Sequence, residues 1–266
     1  MPTPPPHPWS LAELHYAHVK AHAYEVAVLP FGATEPHNLH LPYGTDNFEA
    51  DLLADKACEA AHRAGAKVLR LPTIPYGTET NMTRCKLAIN LNPSTLQAVI
   101  TDLVDSLVNH GLRKIVLLNS HGGNDFKPIL RELYGRTPAQ IFLCNWYQTI
   151  ADAAKAICEQ PEDHAGEWET SIMLAYRPDL VGRGEDGSLL ADAGEKRKMR
   201  FTALNEGWVS ITRPWHLLTT NTGSGNPHAA TAEKGGQLVE CFVERLAPFL
   251  VELSNATIDE GFPFEG

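Results

Sequence analysis

The chain has 266 residues, 43% hydrophobic and 20% charged, with 22 Lys and Arg against 32 Asp and Glu and a formal net charge of −10. This is a globular composition, not a disordered one, and its acidic balance excludes nucleic acid or an anionic membrane as the main partner, since both need a basic face. No apolar run approaches the ~20 residues of a spanning helix, and the opening MPTPPPHPWS has neither the basic nor the apolar part of a signal peptide, so no leader is expected.

Along the chain, short apolar runs alternate with helical patterns. Glu25–Pro30 reads as a strand, Asn47–Ala64 as a helix stopped by Gly65, and Lys67–Leu71 as a second strand. Asn92 and Pro93 open a helix, Leu96 to Val108 repeats apolar residues at helical spacing, and Gly111 ends it. Ile115–Leu118 is a buried strand, Asp125–Tyr134 a helix, Gln140–Cys144 a strand and Glu167–Tyr176 a helix ending before Arg177-Pro178. Residues 180–200, Gly-rich and charged, read as a surface excursion, and Val239 to Leu250 as a last helix interrupted at Pro248. Strand, helix, strand, helix predicts an α/β fold with a mostly parallel sheet covered on both faces. No linker or repeat divides it, so 1–266 is expected to be one domain.

Three polar clusters each follow a predicted strand, at the carboxyl edge where open α/β sheets bind ligands. Phe31–Asp46 holds Glu35, His37, His40 and Asp46. Glu35 and His37, two apart, share one side of an extended segment, and Asp46 returns after a turn at Pro42 and Gly44. Carboxylates and an imidazole converging are ligands for a divalent transition metal. The competing reading is a solvated loop with Asp46 capping the next helix. Asn119–Asn124, NSHGGN, follows KIVLL and offers His121, beside glycines that allow close backbone approach. His164–Ser171, HAGEWETS, offers His164, Glu167 and Glu169. At 3.6 residues per turn the two Glu side chains diverge by about 200°, so one of them faces the site of His164. Glu167 is taken as the metal ligand, which leaves Glu169 behind it or as a charge at the helix start. The set Glu35, His37, Asp46, His121 and Glu167 exceeds one tetrahedral zinc and suits two metal ions, with Asp46 the candidate bridge. His164 and Glu169 are the catalytic candidates.

Together the clusters resemble the creatininase (creatinine amidohydrolase) family. Its E-x-H-G-x-H-L-P-x-G-T-D is similar to Glu35–Asp46, its N-x-H-x-x-N to Asn119–Asn124, its H-A-G-x-x-E-T-S to His164–Ser171, and its late G-D-P-x-x-A-T-x-E-K-G to Gly225–Gly235. The resemblance covers about residues 24 to 250. It implies a three-layer α/β/α fold, two zinc or manganese ions per chain with zinc preferred, and a homo-oligomer, usually a hexamer. By position, Glu35, Asp46 and His121 would hold one ion, and His37, Asp46 and Glu167 the other. Creatininase proper takes its last carboxylate two residues after the His of the second motif, where this chain has Gly123; relatives with H-G-G-N take it from H-A-G-E, here Glu167. Gly122 stands in place of a Tyr, and Gln160 and Pro161 in place of a Trp and an Asp, so creatinine is expected to be a poor substrate. Asn38 replaces a common Gly.

The expected function is a dinuclear metal-dependent hydrolase. A hydroxide bridging the metals attacks a carbonyl of a small, cyclic amide, and His164 carries the proton to the leaving group. The alternatives are a ring ketone or lactone from sugar or cyclitol breakdown, or a non-catalytic metal-binding regulatory protein. Five cysteines without a CxxC pair predict neither a disulfide framework nor a thiolate zinc site and fit a reducing cytoplasm. His15, His18 and His22, at helical spacing without carboxylates, are expected on a solvated face. Trp146 is expected in the pocket wall or the core, and Trp208 and Trp215 in structural or interface positions.

Overall fold

The computed structural model describes residues 5–264, with the backbone only at 162 and 163, so the first four residues of the Pro-rich start lie outside the described residues. Four parallel strands form the centre: β1 (Val26–Phe31), β2 (Val68–Arg70), β3 (Lys114–Asn119) and β4 (Gln140–Asn145), in the order β2-β1-β3-β4. β1 and β3 are buried along their whole length, as strands covered on both faces must be. Their side chains alternate between two cores. Val26, Val28, Val116 and Leu118 face one way, Ala27, Leu29, Ile115 and Leu117 the other.

The first core is covered by α2 (Thr45–Arg63) and α10 (Ala232–Asn255), joined by α6 (Ala151–Ile157) and α7 (Glu167–Tyr176). The second is covered by α3 (Pro93–Asn109) and α4 (Lys127–Leu133), whose Leu96, Ile100, Val104, Ile129 and Leu133 supply the apolar stripe. The result is the expected α/β/α layering. Short elements complete the chain: α1 (Tyr16–Ala21), α5 (Trp146–Thr149), α8 (Thr202–Asn205), α9 (Trp215–Leu218), and an antiparallel pair of β5 (Glu162–His164) with β6 (Ser224–Gly225).

The order 2-1-3-4 sends the chain to opposite sides of β1, so the loops after β1 and β3 part between them. That topological switch point is where an open parallel sheet leaves a crevice. Phe31 and Asn119 are paired at the last rung, so both polar loops leave from one level.

Boundaries differ from expectation where they matter for chemistry. α2 begins at Thr45, its N-cap position is Gly44, and Asp46 lies in the first turn without capping it. The capping role considered for Asp46 is therefore excluded; its oxygens are committed elsewhere. Asn92 precedes α3 without a side-chain cap bond and instead accepts from Asn90 Nδ2 at 3.1 Å. α10 starts seven residues before Val239, because Thr231 Oγ1 caps it by accepting from Lys234 N at 3.2 Å. The 180–200 excursion is sewn to the site: Gly182 N donates to His40 O at 2.7 Å, and Asn38 Nδ2 donates to the Asp192 carbonyl at 3.1 Å. Asn38 sits at φ 53°, a left-handed position that Asn tolerates better than most residues other than Gly. This explains how it can replace a glycine.

Candidate metal centre

Glu35, His37 and Asp46, from the loop after β1 and the start of α2, meet His121 from the loop after β3 in a buried cluster. None of their side chains is more than 6% exposed. Glu35, Asp46 and His121 can place one atom each within 4.8 Å of one another, and so can His37, Asp46 and Glu169. Asp46 belongs to both groups: Oδ1 lies 3.0 Å from His37 Nε2 and Oδ2 3.0 Å from His121 Nδ1. A third group joins His164 to Glu35 and His37.

Each histidine is anchored on its outer nitrogen. His37 Nδ1 lies 3.0 Å from the Glu35 carbonyl. His121 Nε2 lies 2.5 Å from Glu79 Oε1 and 3.2 Å from the Thr78 carbonyl. The inner nitrogens, Nε2 of His37 and Nδ1 of His121, face the carboxylates and are the atoms a metal would take once their protons leave. Metal-ligating histidines are held this way. Glu35 Oε2 and Asp46 Oδ2 are buried with no hydrogen-bond partner, a cost that a cation would remove. Three carboxylates and two imidazoles are borderline-hard donors that suit zinc or manganese. The residues fit a pair of divalent ions.

Glu167 is not in this cluster. Its Oε1 accepts from Lys234 Nζ at 2.6 Å, and its Oε2 from Glu159 N and Gln160 N at 2.8 and 2.7 Å. The two Glu side chains do diverge as expected, but with the opposite assignment. Glu169 faces His37, 3.8 Å from Nε2, and its Oε2 accepts from Ala165 N at 2.6 Å. No carboxylate can come from position 123, because a Cβ there would overlap His121 Nε2 and the Thr78 carbonyl.

His164 stands beside the cluster. Its Nε2 lies 3.0 Å from the Pro36 carbonyl and its Nδ1 3.6 Å from Glu35 Oε1. Burial and the neighbouring His37 hold it down to about 3, so it is neutral at pH 7. Burial would also lower His37 and His121, but the surrounding carboxylates raise both well above the usual imidazole value. Burial pushes Glu35 well up and Glu169 to about 7. Burial would raise Asp46 too, but His37 and His121 hold it below the carboxylate range.

A metal must therefore displace protons. Groups whose pKa is raised hold their protons below it, so metal affinity should rise with pH through about 7, where Glu169 ionises, and go on rising while His37 and His121 still hold protons. Calorimetric titration with zinc in buffers of different ionisation enthalpy should show proton release at neutral pH and an affinity that climbs as the pH is raised. A proton-independent affinity would contradict this.

A cavity of about 540 Å³ opens onto the cluster, walled by Trp146, Tyr147, Trp168 and Trp215, with Gly122 leaving space where a side chain would stand. Trp146 donates to Ser120 Oγ at 2.9 Å. Trp215, expected only in a structural or interface role, stacks edge-on to His164 with ring centroids 5.0 Å apart. Trp208 is 78% exposed. His40 is buried with Nε2 2.8 Å from Thr170 Oγ1, outside the metal groups. His15 and His22 are exposed and His18 half-buried, as the solvated-face reading requires.

Sequence reasoning missed Glu79. It is fully buried, and both its oxygens lack a regular hydrogen bond. No motif marks it; Gly77-Thr78-Glu79 lies between predicted elements. Glu79→Gln should lower affinity for the ion at His121 by about 10–100-fold, the usual effect of losing a carboxylate behind a ligating histidine. Chelator competition measures this, and unchanged affinity would remove Glu79 from the centre.

The creatininase (creatinine amidohydrolase) family model matches residues 12–250. The creatinine amidohydrolase of Pseudomonas putida is 30% identical over 177 residues, 59% of this chain and 66% of that protein. The 3-dehydro-scyllo-inosose hydrolase of Thermotoga maritima is 31% identical over 172 residues, 59% of this chain and 52% of that protein. Both matches thus span less than two thirds of the relative's length. The mycofactocin precursor peptide peptidase of Mycobacterium tuberculosis is 25% identical over 228 residues, 82% of this chain and 81% of that one. Among solved structures, a protein from Bacteroides fragilis assigned provisionally to the creatinine amidohydrolases superposes with a TM-score of 0.86 and 37% identity, covering 96% of this chain and 99% of that one.

Proposed function

The chain belongs to the creatininase family, a family of hydrolases, and on that premise we propose that it is a dinuclear metal-dependent hydrolase of a small, cyclic amide. The observation that carries this reading is Asp46 presenting one oxygen to each of two histidines in overlapping ligand groups. Glu35, Asp46 and His121 would hold one ion, and His37, Asp46 and Glu169 the other. Zinc or manganese bound there would polarise a carbonyl and acidify a water.

The protein's own groups do the rest. His164, neutral and with Nδ1 turned to the cluster, accepts the proton of the attacking water and returns it to the leaving nitrogen. Pro36, by accepting from Nε2, fixes the ring so that the basic nitrogen points inward. Trp215 covers His164 and, with the other aromatic walls, keeps bulk water from the transfer. His164→Ala should keep both metals and lose turnover by about 10²-fold or more. Loss of an ion in that variant would make His164 a ligand, as its grouping with Glu35 and His37 permits.

The Gly122 gap in the wall argues against a site shaped tightly around creatinine. The Thermotoga relative's name supports a second reading, hydrolysis of an inosose-like ring ketone. Metal-loaded protein assayed against cyclic amides, formamides and inosose-like ketones separates the two. Turnover that survives complete removal of metal would overturn both.

We also propose a cytoplasmic homo-oligomer, hexameric as in the resemblance, which light scattering would test. Among the described residues no helix is long and apolar enough to cross a membrane.

A further inference from the structure

We propose that Arg213 forms an anion subsite in the active cavity, so that the substrate carries a carboxylate or phosphate beyond the carbonyl that is attacked. The inference rests on the metal-centre reading above and adds the substrate's charge to it.

Among the described residues lining the cavity, Arg213 is the one Lys or Arg; the others are the cluster's own carboxylates and histidines, aromatic rings and neutral groups such as Asn81 and Gln148. In a chain of net charge −10, it is, among the described residues, the one basic side chain in an otherwise acidic, aromatic and neutral wall. Its guanidinium is held over the Trp215 ring, 5.3 Å from the centroid, a cation–π arrangement that also orients it. Trp215 is itself 3% exposed and tied down, its N donating to the Asn81 carbonyl at 3.1 Å. The same ring abuts His164 on its other contact. Arg213 is thus one aromatic ring away from the proton-carrying histidine, on a buried platform.

Trp215 adds an independent observation. Its indole N–H is buried and has no hydrogen-bond partner, although buried indoles normally find one. An anionic group held by Arg213 would lie against the same ring that carries this unpartnered donor. Arg has five N–H donors in a planar fork that matches carboxylate and phosphate, so an existing contact leaves donors for a ligand. A cavity of about 540 Å³ holds a small acyl compound with such a tail.

The test uses hydroxamates, which chelate paired metal ions and so anchor one end of the probe. Three tails are compared on zinc-loaded full-length protein by calorimetry: a carboxylate, a phosphonate and a neutral amide, each on one- to three-carbon spacers. Wild type should bind an anionic tail tenfold or more tighter than the neutral one, at one preferred spacer. Which anion wins distinguishes carboxylate from phosphate. Arg213→Gln, checked for unchanged zinc content and circular dichroism, should reduce the ratio to near one while keeping the neutral probe's affinity. Equal affinity for all tails in wild type, or a preference that survives Arg213→Gln, would overturn the subsite while leaving the metal centre intact. If no hydroxamate binds the zinc-loaded protein, the metal-centre reading fails and this inference fails with it.

Discussion

Asp46→Ala should release both metal ions together and bring turnover to background. Each Asp46 oxygen faces a different histidine, so the substitution removes one donor from each ligand group at once. Two cations a few Å apart without a bridging anion also repel strongly, so loss of one favours loss of the other. Glu35→Ala, by contrast, removes a donor from the group containing His121, and Glu169→Ala from the group containing His37; each should first weaken one ion. Metal-linked stability should follow: an ion present at a hundredfold over its Kd adds about 2.7 kcal/mol, and in Asp46→Ala this increment should vanish for both ions. Elemental analysis and thermal melts with and without zinc measure the two effects. Two tightly held ions in purified Asp46→Ala would end the bridging assignment.

The second large effect concerns the Glu167–Lys234 pair, which should govern stability and not metal content. Glu167 is 0% exposed and Lys234 17%. Removing the lysine leaves a fully buried carboxylate with only the Glu159 and Gln160 amides for partners; removing one partner of a buried pair costs about 3–5 kcal/mol. Lys234→Met should therefore fall in that range. Glu167→Gln should cost less, because the Lys234 ammonium keeps Glu159 Oε1 and the Ala229 carbonyl as acceptors and the amide oxygen can still accept from the two backbone N–H groups. Chemical denaturation of metal-free protein gives both values. Glu169→Ala should show the reverse pattern, a lost ion with a smaller stability change. A lost ion in Glu167→Gln, with Glu169→Ala retaining both, would restore Glu167 as the ligand.

The pair also explains why two motif fragments far apart in sequence belong together. Lys234 lies 67 residues from Glu167, at the start of α10, which packs along α7. The contact fixes the first turn of α7, and hence the direction in which Glu169 leaves it.

The sequence by itself determined the layers and the edge that carries chemistry. Continuous apolar runs such as Val26–Phe31 and Lys114–Asn119 can only be buried on both faces, and polar residues following such strands must emerge at the carboxyl edge. Local spacing also gathers Glu35, His37 and Asp46 in one stretch, a single loop and helix start, from which each enters two of the candidate ligand groups. It also fixed that Glu167 and Glu169 diverge, a consequence of helical periodicity. Which of them faces the site was decided only by tertiary structure, since periodicity sets the angle between two side chains and not the rotation of the helix about its axis. That rotation depends on Lys234 and on the packing of α10 against α7. Glu79, Trp215 and Arg213 were likewise invisible as site residues. They come from irregular segments or a single helical turn with no period to read, and their roles arise from the contact of Glu79 with His121, 42 residues away in sequence, and of Trp215 with His164, about 50 away, that only the folded chain creates; Arg213 joins through the Trp215 ring.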